Sequence, residues 1–351
     1  MKTVIFRGPY DVAVEDRPMP EITQPTDAII RIVRSCVCGS DLWCYRGLSP
    51  YTVGDGLGHE CIGIVEQVGP SVASVHGGEL VICPFSFSCG ACANCRNGFE
   101  SNCGAGGCFG GPDGLAAQAE YLRVPYADGT LVTVAESPTR EHYPDELLAA
   151  LTTLSDVMST GFHAAVSAGV GQGDTVVVVG DGAVGLMGVL ACDMRGAARI
   201  IALSGHEDRQ RLAVSFGATD IVASRGSNAV RDVMALTDGV GADAVLECVG
   251  SKQSTETALA VARPGSTVGR VGLPHGAELT AASTFFRNVG VRGGIAPAHR
   301  YAKDLIPAVM SGRIHPERVF TVTTGLANAP DAYRMMDQRT TVKALLKVSE
   351  I

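Results

Sequence analysis

Four cysteines stand close together in the first third of the chain. Cys89, Cys92, Cys95 and Cys103 follow a Cys-x2-Cys-x2-Cys-x7-Cys spacing, with glycines at residues 90 and 98. Four thiolates this close suit one tetrahedral zinc ion that plays a structural role. Redox-active thiols are the alternative, but the spacing favours zinc. We therefore expect a structural zinc at this segment.

A second set of metal-ligand residue types is spread more widely. Cys36 and Cys38 precede a Gly-Ser-Asp segment, His59 and Glu60 follow downstream, and Asp156 lies much later in the chain. A catalytic zinc takes three protein ligands and keeps one position open for water or substrate. The residue types allow such a site, but spacing alone does not choose Cys38 over Cys36, nor Asp156 over another carboxylate.

A glycine-rich turn follows a strongly apolar run at Val176–Val179. Its residues are Gly180, Asp181, Gly182, Ala183, Val184 and Gly185, a Gly-x-Gly-x-x-Gly pattern. Between a strand and a helix, this pattern is typical of dinucleotide binding, because the glycines allow a tight turn and close backbone approach to a pyrophosphate. The N–H groups at the helix start then face the phosphates.

The choice of cofactor is read about 20 residues further on, where an acidic residue would hold the ribose 2′-hydroxyl of NAD. The sequence has Ser204 there, followed by Gly205 and His206, with Arg209 close behind. Small and basic groups suit a 2′-phosphate, so we expect NADP(H) in preference to NAD(H). The neighbouring acids at 207 and 208 count against this choice, unless they only complement a helix dipole.

The elements around these motifs indicate two fold types. Residues up to about 155 read as β-rich and turn-rich, with strands at 28–33 and 62–68. From 157 onward strands alternate with helices, which predicts a parallel sheet covered on both faces. The predicted segments are strands at 174–180, 199–203, 220–222, 242–247 and 266–271, and helices at 185–195 and 207–216.

Bulk properties exclude several classes of protein. The net charge of −8 argues against a nucleic-acid partner, and no stretch approaches the roughly 20 apolar residues of a membrane span. Arg7, Gly8 and Pro9 interrupt any signal-peptide core. We therefore expect a cytoplasmic protein whose 12 cysteines are not paired as disulfides.

The ordered set of motifs resembles the zinc-dependent medium-chain alcohol dehydrogenases over essentially the whole chain. The motifs are Cys-Gly-Ser-Asp from Cys38, Gly-His-Glu from Gly58, the four-cysteine cluster, Asp-x-x-x-Thr-Gly-x-His from Asp156, and the glycine-rich turn. The similarity is strongest to the bacterial secondary-alcohol branch, in which the third zinc ligand is Asp. It implies an α/β fold: a groES-like β-barrel catalytic domain and a Rossmann domain with a doubly wound parallel sheet.

The resemblance also implies roles for single residues. Cys38, His59 and Asp156 become ligands of a catalytic zinc, Glu60 lies beside the metal, Ser40 relays a proton and Asp41 supports the site. Further cofactor contacts are expected at Thr160, Val249, Val271, Gly272, Leu273 and Lys343. The implied domains are 1–156, with both zincs, and 157–295 for the dinucleotide, with 296–351 returning to the first domain.

Trp43, the only tryptophan, stands where many relatives carry a proton-relaying histidine. Indole is a hydrogen-bond donor only and cannot relay a proton. One interpretation is that the proton leaves by the cofactor ribose and water. The others are that Trp43 shapes the substrate pocket or only packs against its neighbours. We expect a zinc-dependent oxidoreductase that interconverts small alcohols and carbonyls, as a homodimer or homotetramer. The alternatives are a polyol or amino-alcohol dehydrogenase using NAD, and a dinucleotide sensor with structural zinc only.

Overall fold

Two units, each built around one large sheet, make up the chain. The computed structural model describes residues 1–111, 115–276 and 279–351. Met1–Asp156 and Pro297–Ile351 form the first unit, and Val157–Ala296 form the second unit. Within the described part of the chain, no helix combines the length and apolar character needed to cross a bilayer.

Short strands and short helices dominate up to residue 156. The strands are β1 (Lys2–Gly8), β2 (Asp11–Asp16), β3 (Ala28–Val37), β4 (Cys61–Val68), β5 (Leu80–Cys83), β6 (Ser86–Phe87), β7 (Gly107–Cys108), β8 (Tyr121–Val124) and β9 (Val132–Ala135). The helices are α1 (Asp41–Tyr45), α2 (Ala93–Arg96), α3 (Ala127–Thr130) and α4 (Asp145–Thr153), with a 3-10 turn at Glu100–Asn102.

The second unit alternates strands with helices. Its strands are β10 (Thr175–Val179), β11 (Arg199–Leu203), β12 (Asp220–Val222), β13 (Ala242–Glu247), β14 (Ala262–Arg270) and β15 (Gly290–Gly293). Its helices are α5 (Val157–Ala168), α6 (Ala183–Met194), α7 (Glu207–Ser215), α8 (Gly226–Leu236), α9 (Lys252–Val261) and α10 (Ala281–Phe285).

The last segment rejoins the first unit. It contains α11 (Ala298–Met310), α12 (Ala329–Asp337), β16 (Val322–Gly325) and β17 (Ala344–Lys347), with 3-10 turns at Pro316–Val319 and Leu326–Asn328. β17 pairs antiparallel with the second half of β3, from Ala344↔Val37 to Lys347↔Arg34. This pairing explains why β3 continues to Val37, beyond the strand end predicted at residue 33.

Among the described residues, the largest sheet of the first unit has seven strands, beside the two-stranded pairs β1-β2 and β6-β7. The order in this large sheet is β16-β17-β3-β4-β5-β9, with β8 also paired to β3. Apolar side chains such as Ile30, Ile32 and Leu122 are buried from it, at 2% exposure or less. The mostly antiparallel, strand-rich unit agrees with the predicted groES-like barrel.

The sheet of the second unit is wholly parallel, in the order β12-β11-β10-β13-β14-β15. This is the doubly wound order with a switch point beside the first strand of the unit, β10. Val176, Val177 and Val178 of β10 have no exposed surface, as a central parallel strand requires. The predicted Rossmann fold is therefore confirmed.

Candidate active site and cofactor site

Four side chains of metal-ligand types converge in the first unit. Cys38, His59, Glu60 and Asp156 each offer a donor atom, and the four atoms lie within 4.8 Å of one another. Cys38 Sγ is 3.6 Å from Asp156 Oδ2, and His59 Nε2 is 3.5 Å from the same oxygen. We call this set the mixed cluster. Cys36 stays outside it, in a small apolar group with Ala149 and Leu345.

Strand pairing brings these distant residues together. Cys38 directly follows β3, whereas Glu60 directly precedes β4, and the two strands are antiparallel with Ser35 opposite Cys61. Asp156 follows α4, and its neighbour Ser155 accepts a hydrogen bond from Phe85 N at 3.0 Å. The cluster is therefore positioned by three separate parts of the first unit.

The imidazole of His59 is oriented by Asp41. His59 Nδ1 lies 3.2 Å from Asp41 Oδ1, while the other carboxylate oxygen accepts from Cys38 N and Gln118 Nε2, both at 3.0 Å. Tyr333 in turn donates to Gln118 Oε1 at 2.9 Å. Because Nδ1 is occupied by a carboxylate, Nε2 is presented to the cluster, as in carboxylate–histidine–metal arrangements. Gln118 and Tyr333 were not predicted, since no motif marks them.

Glu60 is held by a buried lysine. Lys343 Nζ donates to Glu60 Oε1 at 2.6 Å and to the Val37 carbonyl at 3.2 Å, and both charged side chains are at most 1% exposed. The expected contact of Lys343 with the cofactor stays a prediction. β17 pairs with β3, which places Lys343 beside Glu60 and engages its ammonium there.

The electrostatics of the mixed cluster suit a cation. Burial raises the pKa of Cys38, and Glu60 and Asp156 raise it further. Burial also raises the pKa of Glu60, against the opposing effect of Lys343. Burial would lower the pKa of His59, but Asp41 and Cys38 override it and raise that pKa.

Among the described residues, one carboxylate oxygen of the cluster also lacks a protein partner. Glu60 Oε2 is buried and, among the described residues, meets no hydrogen-bond donor. A thiol, an imidazole and carboxylates are the donor types that zinc prefers. The residues of the mixed cluster therefore fit a zinc ion.

Ser40 and Trp43 lie at the less buried face of α1. Ser40 is exposed and precedes the helix, with Oγ 3.4 Å from His59 Nε2. Trp43 is half-buried, whereas its helix neighbours Leu42 and Cys44 are buried. Since i and i+3 share a helix face, the hydroxyl and the indole belong to one side of α1.

The four cysteines of the predicted structural site also converge. Cys92 Sγ lies 3.5 Å from Cys95 Sγ and 3.9 Å from Cys103 Sγ, and Cys103 Sγ lies 3.4 Å from Cys89 Sγ. Sulfurs around a tetrahedral zinc are about 3.8 Å apart. Hydrogen bonds from Cys95 lower the pKa of Cys92 to about 6. All 12 cysteines are free thiols, and residues 86–104, the cysteine lobe, fit one zinc ion.

In the second unit, the glycine-rich turn has the predicted geometry. Gly180 has φ +121°, and a Cβ on Gly185 would lie 1.9 Å from the Gly180 carbonyl oxygen. Only glycine permits the turn and the close packing of α6 on β10. Gly182 precedes α6 and has open space where a Cβ would point. Ala183 and Val184 begin that helix.

The end of β11 carries both basic and acidic groups. Ser204 is buried and donates to Asp181 Oδ2 at 3.0 Å, and Arg209 Nη1 lies 3.3 Å from Asp181 Oδ1. Gly205 is exposed and His206 half-buried beside them. Two of the residues expected at a 2′-phosphate, Ser204 and Arg209, are thus engaged by the carboxylate of Asp181.

Arg225 adds a cation that the sequence reasoning missed. A Cβ on Gly205 would lie 3.1 Å from Arg225 Nη2, so this exposed guanidinium lies against Gly205. Arg225 follows β12, and the carboxyl ends of neighbouring parallel strands meet at one edge of a sheet. The position of Arg225 after the strand next to β11 is the feature from which it could have been predicted.

The remaining predicted cofactor residues of the second unit lie in α5 or at the ends of β13 and β14. A Cβ on Gly180 would lie 2.8 Å from Val249 Cγ2, and one on Gly272 would lie 2.5 Å from the Val249 carbonyl carbon. Val249 and Leu273 are exposed, at 39% and 55%. Val249, Val271, Gly272 and Leu273 thus lie at the same edge as the glycine-rich turn, whereas Thr160 is in α5.

Comparisons with known proteins agree with this geometry. Residues 24–136 match the alcohol dehydrogenase GroES-like domain family, and residues 183–311 match the zinc-binding dehydrogenase family. A zinc-type alcohol dehydrogenase B of Aspergillus flavus is 32% identical, with 100% of this chain and 82% of that protein covered. A probable zinc-binding alcohol dehydrogenase of Mycobacterium tuberculosis is 34% identical, with 95% and 84% covered.

Solved structures show the same relationship. The alcohol dehydrogenase TADH of Thermus sp. ATN1 superposes with a TM-score of 0.91 at 34% identity, with 99% of this chain and 100% of that chain covered. Fold and site define a zinc-containing, dinucleotide-dependent oxidoreductase class. The chain belongs to the zinc-dependent medium-chain alcohol dehydrogenase family. It is accordingly an oxidoreductase of alcohols, in a family that uses zinc and a nicotinamide dinucleotide.

Proposed function

We propose that this chain transfers hydride between NADP(H) and an alcohol–ketone or alcohol–aldehyde pair. The mixed cluster is the observation that carries the proposal, because four donor atoms of Cys38, His59, Glu60 and Asp156 lie within 4.8 Å of one another. The first unit is then the catalytic domain, and the second unit is the dinucleotide domain.

Cys38, His59 and Asp156 would hold the catalytic zinc, with Glu60 beside it. Zinc supplies Lewis acidity toward an alcohol or carbonyl oxygen, and the dinucleotide supplies the hydride chemistry. Asp41 fixes the orientation of the imidazole, and Lys343 binds one oxygen of Glu60. The cysteine lobe would hold the structural zinc.

Ser40 is the proton-handling group of the proposal. Its exposed hydroxyl lies 3.4 Å from His59 Nε2, so it reaches the place where a substrate oxygen would approach the metal ligands. A hydroxyl both donates and accepts, whereas the indole of Trp43 only donates. Trp43 therefore shapes the pocket beside Ser40, and the proton leaves by another route.

The preference for NADP(H) rests on the edge formed by β11 and β12. Arg209 and Ser204 engage Asp181, and this offsets the negative charge that would oppose a 2′-phosphate. Arg225 then supplies a second guanidinium against Gly205. Guanidinium groups bind phosphates with charge-assisted hydrogen bonds. The cofactor choice therefore depends chiefly on Arg225.

Metal analysis and a substrate panel test the function. We expect two zinc ions per chain and reduction of the dinucleotide by small alcohols, followed by the absorbance of the reduced nicotinamide. One zinc per chain without turnover would instead identify a dinucleotide sensor. Turnover confined to polyols or amino alcohols with NAD would favour that branch of the superfamily.

Arg225→Ala tests the cofactor choice. We expect catalytic efficiency with NADP to fall on the order of tenfold, since hydrogen bonds to charged groups are among the stronger ones, with NAD nearly unaffected. Arg231→Ala on the following helix is the control. A wild-type preference for NAD, or equal losses with both cofactors, contradicts the proposal. The homodimer or homotetramer and the cytoplasmic location remain predictions from the sequence.

A further inference from the structure

Two turns at the carboxyl edge of the second sheet support each other. The turn after β13 contains Val249 and Gly250, and the turn after β14 contains Gly272 and Leu273. Gly250 has φ +88°, and a Cβ there would lie 1.9 Å from the Leu273 carbonyl oxygen. A Cβ on Gly272 would lie 2.2 Å from Gly250 N. The turns therefore pack backbone against backbone, with no room for a side chain.

One residue bonds to both turns. The carbonyl oxygen of Glu247, at the end of β13, accepts from Val271 N at 2.9 Å and from Gly272 N at 3.1 Å. Its carboxylate Oε1 accepts from Val249 N at 2.9 Å and from Gly250 N at 2.7 Å. The side chain has no exposed surface. Glu247 thus organises four N–H groups of the two turns.

Arg270 forms an ion pair, without a hydrogen bond, with the other oxygen of this carboxylate. It is the register partner of Glu247 across β13 and β14, and its Nε lies 3.6 Å from Glu247 Oε2. The arginine side chain is 14% exposed. Within the described residues, its Nε and Nη2 find no hydrogen-bond acceptor. Burying two charges is costly, and a well-packed apolar pair would usually be as stable. Stability alone therefore does not account for this pair.

We propose that Glu247 is a positioning residue for the nicotinamide end of the cofactor, held in place by Arg270. The inference rests on the proposed function, because it assumes that a nicotinamide dinucleotide lies along this edge. Glu247 acts through the backbone of Val249 and Gly272. Val249 also lies against Gly180 of the glycine-rich turn. A small displacement of such a support costs affinity and rate, since reacting groups need closely defined placement.

The experiment compares two probes in binding titrations. The first is the reduced dinucleotide that the wild type binds, followed by its nicotinamide fluorescence, and the second is the matching ADP-ribose, which lacks the nicotinamide. Glu247→Ala removes the acceptor of two N–H groups. We expect its affinity for the reduced dinucleotide to fall on the order of tenfold, with ADP-ribose affinity unchanged, because each hydrogen bond to a charged group contributes appreciably. The fluorescence change on binding should shrink as well.

Two further variants separate positioning from a general loss of structure. Glu247→Gln keeps an oxygen that can accept from Val249 N and Gly250 N. Its affinity for the reduced dinucleotide should therefore be close to the wild-type value, with ADP-ribose affinity unchanged. Asp243→Ala removes a carboxylate at the other end of β13, where Asp243 accepts from Thr175 N and pairs with Arg263. This control should change the affinities for both probes equally or leave both unchanged.

Several outcomes would overturn the inference. Equal losses for both probes in Glu247→Ala, no loss, or a Gln variant as weak as the Ala variant would show that Glu247 has no specific role at the nicotinamide. If Glu247→Ala does not fold, the same two titrations of Glu247→Gln and Arg270→Met test the inference. Only Arg270→Met should lose affinity for the reduced dinucleotide while keeping its affinity for ADP-ribose. A wild type that binds neither NADPH nor NADH would defeat the proposed function instead.

Discussion

The two candidate metal clusters of the first unit are built in opposite ways. The mixed cluster gathers residues from two strand ends and from the segment after α4, and Asp41, Gln118 and Lys343 support its ligands. The cysteine lobe takes all four ligands from one short segment, and each of its cysteines is half-buried. The mixed cluster is held by the large sheet, whereas the cysteine lobe is tied to the rest of the unit by a few hydrogen bonds, such as those of Ser88 and Glu100.

This difference predicts what each proposed metal would do for the protein. Ligands fixed by buried hydrogen bonds stay in place without the ion, so metal loss there removes chemistry and leaves the fold. A loop with few buried contacts gains its structure from the metal, so metal loss there removes local folding. On the proposed function, the same ion would be a reagent at one site and a structural crosslink at the other.

The largest effect should come from Asp156→Ala in the mixed cluster. Even residues that only support a metal ligand cost 10- to 100-fold when changed, so we expect turnover to fall by at least about a hundredfold. The catalytic zinc should be lost, while the cysteine lobe keeps its own and the melting temperature changes little. Steady-state kinetics, metal analysis and thermal melting measure the three quantities.

Glu146→Ala is the matched control for that change. Glu146 is an exposed carboxylate on α4, the helix that precedes Asp156. Its loss should alter neither activity nor the zinc content. Full activity in Asp156→Ala would remove this carboxylate from the metal site and with it the main support for the proposed ligand set.

Cys89→Ser should have the opposite effect on the two clusters, with loss of stability and of the zinc in the cysteine lobe. Without one thiolate the cysteine lobe should lose its zinc and unfold locally, which lowers the unfolding free energy by on the order of 4 kcal/mol, as loss of a structural metal commonly does. The zinc of the mixed cluster should remain. Hydrogen exchange over residues 86–104 and metal analysis follow both effects.

Cys108→Ser is the control for the cysteine lobe, because Cys108 is an exposed thiol of the neighbouring strand β7. It should retain both zinc ions and the wild-type protection of the lobe. If Cys89→Ser kept two zinc ions and a normal melting curve, the lobe would not depend on its metal, and the contrast between the two clusters would disappear.

The two clusters also differ in how far the sequence predicts them. The four cysteines and the glycine-rich turn are local patterns, so their spacing identifies the chemistry. The choice of Cys38 over Cys36 depends on a distance to Asp156, which only the fold defines. The placement of Lys343 depends on the pairing of β17 with β3, between residues more than 300 positions apart, which composition does not encode.

The second unit shows the same division. β11, β12 and β13 occupy their predicted residues because apolar runs mark buried parallel strands. Arg225 and Glu247 carry no motif, and both become visible only when the strand order places the ends of β11 to β14 at one edge. Local patterns therefore predict elements and turns, whereas the pairing of strands decides which side chains meet.

A smaller effect on the free energy of unfolding is expected when His299 of α11 becomes protonated at acidic pH. Burial lowers the pKa of His299 from 6.5 to about 4, with Lys303 adding to the shift. Since the folded state resists protonation, the contribution of His299 to stability is complete above pH 6.5 and is lost as the pH falls toward 4. We expect a loss of roughly 2–3 kcal/mol over this range.

His299→Gln isolates that contribution. The variant has no group that titrates there, so its free energy of unfolding should fall less steeply between pH 6.5 and 4 than that of the wild type. Chemical denaturation at a series of pH values provides the comparison. Parallel profiles for the two proteins would show that His299 titrates normally and that other groups govern the acid sensitivity.

The smallest effect should come from the bond that attaches the cysteine lobe to α11. Glu100 in the 3-10 turn is 5% exposed, and its Oε1 accepts from Arg300 N in the first turn of α11 at 2.8 Å. A carboxylate at this end of a helix satisfies a free N–H group and complements the dipole. Glu100→Ala should therefore lower the unfolding free energy by about 1 kcal/mol.

Glu100→Gln separates the hydrogen bond from the charge, because the amide oxygen can still accept from Arg300 N. The Gln variant should recover most of the loss, and both variants should keep two zinc ions per chain. Since the carboxylate contributes nothing to the thiol site itself, zinc loss in Glu100→Ala would mean that the fold supports the lobe as firmly as it supports the mixed cluster. Metal analysis beside chemical denaturation distinguishes the two cases.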